Sequence, residues 1–152
     1  MASQSQYVVD VAALHQLNER NYAGLVNLLP DDSSETVRIS IGEELDFALT
    51  VTQQARYTTD IEIVQLPGHW SSEYLKTKLE VRLYHDVRMA EVLASQGVKR
   101  LAVHYRQPNP DMRHRDEKHQ VNQFLADWLS LCRQRGQWQS LGTHKFVPHG
   151  FK

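Results

Sequence analysis

Residues 79–96 read LEVRLYHDVRMAEVLASQ, and the secondary structure assigned to them decides the fold. Leu79, Val81, Leu83 and His85 alternate with polar neighbours, the period-two pattern of a strand with one buried face. The second half is open to two readings. Ala, Glu, Met and Leu are good helix formers, whereas Ala90, Val92 and Ala94 share one side of a strand. The strand is preferred, because Gly97 then leads directly into Leu101, Val103 and Tyr105, a further alternating run.

Working outward, residues 56–66 (RYTTDIEIVQL) have β-rich composition and are stopped by Pro67 and Gly68. Val37, Ile39 and Ile41, then Leu45, Phe47, Leu49 and Val51, give two more half-buried strands joined tightly at residues 42–44. Residues 11–30 change period: Leu14, Leu17, Tyr22, Leu25, Leu28 and Leu29 form a helical stripe, with Asp10 as N-cap and Pro30 as stop. A longer helix runs from near Arg113 to about Arg135, its stripe being Val121, Phe124, Leu125, Trp128, Leu129 and Cys132. Gly136 fits a C′ terminator after Arg133 and Arg135, whose charges suit the negative helix end. The expected fold is α+β: a mostly antiparallel meander of five or six strands flanked by an N-terminal and a long C-terminal helix, both on one face. Residues 1–136 form the domain, and residues 137–152, lacking a convincing period, form a tail.

Composition narrows the function. The 152 residues carry Lys+Arg 17 against Asp+Glu 18, for a net charge of −1. That argues against a dedicated nucleic-acid binder, which needs a basic excess. The single cysteine, Cys132, cannot form an internal disulfide, and its place on an apolar stripe argues against a thiol nucleophile. No stretch approaches the roughly 18 apolar residues of a membrane span, and the first residues do not read as a signal peptide. The cytoplasm is the expected location.

P-loop, dinucleotide-binding, HExxH, CxxC and GxSxG motifs are all absent from the sequence. Two polar clusters remain. His85 and Asp86 end a strand, and a histidine beside a carboxylate is either a general base or ligand, or a hydrogen-bonded strand terminus with its aspartate closing the turn. His114, Arg115, Glu117, Lys118 and His119 stand at the start of the last helix, where free N–H groups and the dipole favour an anion. Counting back from Val121 places Lys118, Glu117 and His114 on the line of the buried stripe. Between residues 99 and 118, six basic residues stand against three acidic ones, a mild local excess. A salt-bridged, solvated helix end accounts for the same residues. The spacing of His114 and His119 does not suit two metal ligands on one helix face, so no metal site is expected. Arg56 and the hydroxyls after it could add to such a helix-start site, and as a strand sequence they equally need no function.

Several segments carry a resemblance: NxxxLxxLLP (residues 21–30), RYTT (56–59), VRLYHD (81–86), AEV (90–92) and RDEKHQVNQFLADWL (115–129), with Cys132 close behind. In this order, over residues 14–136, the chain resembles the YqiB-like family of uncharacterised bacterial proteins. The resemblance implies no catalytic residues. It associates the chain with a gene neighbourhood of nucleotide-hydrolysing enzymes. The leading expectation is a non-enzymatic binding or regulatory protein for a partner protein or a small anionic, nucleotide-like ligand. The alternatives are a hydrolase that joins His85 and Asp86 to the helix start, and a structural subunit that forms a homodimer. The residues name no cofactor.

Overall fold

The structure, a computed structural model, describes residues 11–43, 45–67, 77–98, 117–140 and 146–147. Among these, two helices and seven strands follow the order α1 (Val11–Val26), β1 (Thr36–Ile41), β2 (Leu45–Gln54), β3 (Thr58–Gln65), β4 (Lys78–Tyr84), β5 (Met89–Gln96), α2 (Glu117–Arg135), β6 (Gly136–Ser140) and β7 (Phe146–Val147). The strands form one antiparallel sheet in the order β5-β4-β3-β2-β1-β6-β7. The first five are the meander that the alternation predicts. The chain then passes through α2 and rejoins the sheet beside β1.

Residues 89–96 are strand. The register sets Ala90 against Leu83 and Val92 against Val81, so the apolar residues of β5 complete a face begun on β4. The same face carries Ile61 and Ile63 of β3, Phe47 and Leu49 of β2, and Val37 and Ile39 of β1, all buried. Side chains of period two on adjacent strands meet only in this register; a one-residue slip would turn every one of them to the opposite face. A bulge between Glu80 and Val81 pairs Ala94 with Glu80, and Ala94 becomes exposed instead of continuing the buried line. The connection is a tight turn over residues 85–88 in which the Asp86 carboxylate accepts from the Val87 N–H (3.0 Å) and Arg88 adopts a φ of 57°.

Both helices pack on the apolar face. α1 buries Leu17, Tyr22 and Leu25, and α2 buries Leu125, Trp128, Leu129 and Cys132. Trp128 meets the edge of Phe47 at 5.3 Å between ring centres, a favourable aromatic geometry.

Four details differ from the sequence expectation. The first helix ends at Val26, not near Pro30; the Leu28 N–H bonds to the Leu25 carbonyl (2.8 Å), and Leu28 stays buried from a non-helical backbone. Arg56 and Tyr57 lie in the β2–β3 turn, closed by the Ala55 N–H to Thr58 carbonyl bond (2.9 Å), and β3 starts at Thr58. Residues 137–140 are not part of a tail but belong to β6, whose backbone pairs with β1 from Ile41↔Gly136 to Val37↔Ser140. Gly136 is no left-handed helix terminator, since positive φ among described glycines occurs at Gly42 and Gly97. Its requirement is close approach: a Cβ there would sit 2.7 Å from the Cys132 carbonyl oxygen. The proposed Asp10 cap, the alternating run at 101–105 and residues 113–116 lie outside the described residues. No helix among the described residues is long and apolar enough to cross a membrane.

Candidate functional site

His85 occupies the junction between the sheet and α1. Its Nδ1 lies 2.9 Å from the Tyr22 hydroxyl and its Nε2 lies 2.7 Å from the Thr59 hydroxyl. The Tyr22 ring also meets the imidazole edge-on at 5.7 Å. Both ring nitrogens are therefore engaged in joining α1 to β3, and neither is directed at α2. Asp86 is exposed and closes its own turn. Arg56, also exposed, stacks over the neighbouring Tyr57 ring at 5.2 Å.

The helix start is arranged differently from the stripe extrapolation. Glu117 and Lys118 are exposed, because the most buried line of α2 runs through Asn122, Leu125, Leu129 and Cys132, one position away from the line through Val121. Lys118 folds onto the sheet edge and pairs with the Glu91 carboxylate (2.5 Å). The Tyr84 hydroxyl donates to the other Glu91 oxygen (3.0 Å). Burial pulls the Glu91 carboxyl up, but the Lys118 and Tyr84 hydrogen bonds and the Lys118 charge outweigh it, leaving the group below the usual carboxylate value. Beside this group, Arg82 grips Asp60 with two bonds (2.7 and 3.0 Å). The charge of Lys118 is thus already matched within the fold. His114 and Arg115 lie outside the described residues. Among the described residues, no group of His, Cys, Asp and Glu could hold a metal ion.

Two asparagine side chains lock α1, α2 and β5 together. Asn122 is fully buried; its Oδ1 accepts from the Val92 N–H (3.0 Å) and its Nδ2 donates to the Lys118 carbonyl (2.8 Å). Asn21 of α1 donates from Nδ2 to the Asn122 carbonyl (2.9 Å). These contacts fix the distance between the two helices without filling the space between them.

That space is a groove of about 420 Å³ lined by Arg20, Asn21, Ala23, Gly24, Asn27, Ala126, Leu129 and Arg133. Small residues on both helices leave it open: a Cβ on Gly24 would meet Leu129 at 3.1 Å. The floor is Ala126 and Leu129, and exposed Arg20 and Arg133 stand at the rim. Among the described residues, neither arginine forms an ion pair. Asn21 is 1% exposed, and its Oδ1 lacks a hydrogen-bond partner among the described residues. The volume falls within the roughly 300–1,000 Å³ of small-molecule sites, and an apolar floor with few polar groups is their usual composition. None of these lining residues is a site candidate from the sequence, where Leu129 reads as part of the apolar stripe. The available signal is weak: small and basic residues at helical spacing on two segments that only the fold brings together.

A family model described as "Protein of unknown function (DUF1249)" matches residues 24–138. The chain belongs to this family. DUF1249 relatives include the "Uncharacterized protein YqiB" of Escherichia coli K12 and its counterpart in the O157:H7 strain, each 40% identical over 136 residues, covering 86% of this chain and 94% of theirs. The family resemblance carried by the five sequence segments is thereby borne out. No solved structure matches the chain. The DUF1249 match takes in α2 and β1 to β5, and starts on the groove at Gly24.

In this DUF1249 protein Cys132 faces the core, 2% exposed, and burial pushes its thiol far above the ordinary value despite the neighbouring Arg133 charge. A thiol kept protonated is a poor nucleophile. Native protein is expected to resist alkylation by iodoacetamide at pH 8, while urea-unfolded protein reacts stoichiometrically. Rapid labelling of the native chain, read by mass spectrometry, would contradict this placement.

Proposed function

We propose that this protein is a binding protein for a small anionic molecule, which it holds between α1 and α2. The observation that carries the reading is the pair Arg20 and Arg133 at the rim of an apolar-floored groove, neither paired with a described carboxylate. Guanidinium groups recognise carboxylate and phosphate through directed, charge-assisted hydrogen bonds, which are about twice as strong as neutral ones. The groups first read as a second, catalytic possibility support it less. His85 uses both ring nitrogens on Tyr22 and Thr59, Asp86 caps its own turn, and Lys118 is matched by Glu91. A ligand arriving at the groove meets two charges that no described carboxylate pairs with.

The test is an amide NMR titration with a panel of phosphate and carboxylate compounds that includes mononucleotides. Shifts are expected to concentrate at Gly24, Asn27 and Ala126, and Arg20→Ala or Arg133→Ala is expected to weaken binding by about tenfold or more, the size of one charged hydrogen bond. Shifts located elsewhere, or undiminished binding by the double variant, would defeat the proposal.

A further inference from the structure

Resting on that reading of the groove, we infer that the site is two-ended and takes a bis-anionic molecule with an apolar middle. The contacts between the helices advance along both in the same direction: Asn21 bonds to Asn122, and Gly24 lies against Leu129. Arg20 therefore precedes the Gly24–Leu129 contact on α1, and Arg133 follows it on α2. Each is four residues from the contact, about 6 Å along a helix, so the two arginines mark opposite ends of the groove. Apart from the two arginines the lining is Ala23, Gly24, Ala126 and Leu129 with the neutral amides of Asn21 and Asn27, which offers no charge to a ligand's centre. A compact anion would reach one guanidinium and leave the apolar floor uncovered. A molecule with an anionic group at each end satisfies both arginines and covers the floor with methylenes.

Two linked charges bind more tightly than one, because the second engages at a high effective concentration once the first is bound. That gain exists only when the linker matches the span. Affinity should therefore pass through a maximum with length, a signature that simple hydrophobic binding or general anion attraction lacks.

The experiment is calorimetric titration of the full chain with α,ω-dicarboxylates from succinate to sebacate, with octanoate and inorganic phosphate as single-anion probes. The expected result is an affinity maximum within the series, at least tenfold tighter than octanoate. Arg20→Ala and Arg133→Ala should each reduce the best dicarboxylate to the octanoate level and abolish the maximum, while Arg20→Lys and Arg133→Lys retain part of it. Thermal melting of each variant verifies its fold. Equal binding of octanoate and the dicarboxylates, still dependent on the arginines, would overturn the two-ended site and leave the anion reading standing. Affinity rising steadily with length and indifferent to both arginines would overturn the two-ended site and the arginine basis beneath it. Binding by none of the probes, phosphate included, would overturn both.

Discussion

Trp128→Ala should destabilise the protein by about 3–5 kcal/mol, the range for removing a fully buried large aromatic. Trp128 is 2% exposed and packs edge-on against Phe47, so truncation opens a cavity where α2 meets the sheet and removes a ring pair. The companion variant is more informative. The Trp128 Nε1–H is buried without a hydrogen-bond partner among the described residues, which costs stability in the native protein. Trp128→Phe removes that donor along with some volume, and the two effects oppose each other. Its loss should be well under half that of the alanine variant. Urea unfolding monitored by far-ultraviolet circular dichroism measures both; equal losses would mean that the indole N–H is not a liability.

Asn122→Ala should lose about 2–4 kcal/mol through a different mechanism. Leaving a buried backbone donor unsatisfied costs about 1–3 kcal/mol, and the missing amide adds a cavity term. The orphaned group is the Val92 N–H on the outer side of β5, now bonded to the Asn122 side chain (3.0 Å). Hydrogen exchange at the Val92 amide should accelerate more than at Val81 on the neighbouring strand. The Asn21 contact uses the Asn122 backbone carbonyl and should survive, so the α1–α2 spacing is preserved in this variant. A loss below about 0.5 kcal/mol, the level of a neutral surface change, would show that water replaces the amide at no penalty.

The sequence and the structure agree wherever side-chain alternation is unambiguous. Val81 and Leu83 made β4 legible, and Leu125, Leu129 and Cys132 made α2 legible, whereas β5 was balanced between its period-two residues Ala90 and Val92 and its helix-forming composition. β6 was not legible, because GQWQS has a single apolar residue and its place in the sheet comes from backbone pairing with β1. The buried asparagines were also hidden. Asn21 and Asn122 lie on the deepest lines of their helices, but a polar residue on an apolar stripe reads as an interruption until its partner on another element is known. In the two polar clusters of the sequence, three of the described groups, His85, Asp86 and Lys118, are satisfied locally. His85 and Asp86 support architecture and turn closure, and Lys118 supports an ion pair. The groove has no signature in the sequence because it is made of alanine, glycine, leucine and asparagine with two ordinary arginines. Its character comes from the packing distance between the helices, which no single segment encodes.

The Asn122 amide also bears on the outer side of β5, where it takes up a strand donor. β5 ends the described sheet, and a terminal strand with free N–H groups can recruit a strand from a neighbouring molecule. By occupying the Val92 N–H from within, Asn122 removes one rung from that template at its apolar centre. Among the described residues, the side chain that ties the helices to the sheet therefore also leaves one fewer open donor on the outer side of β5.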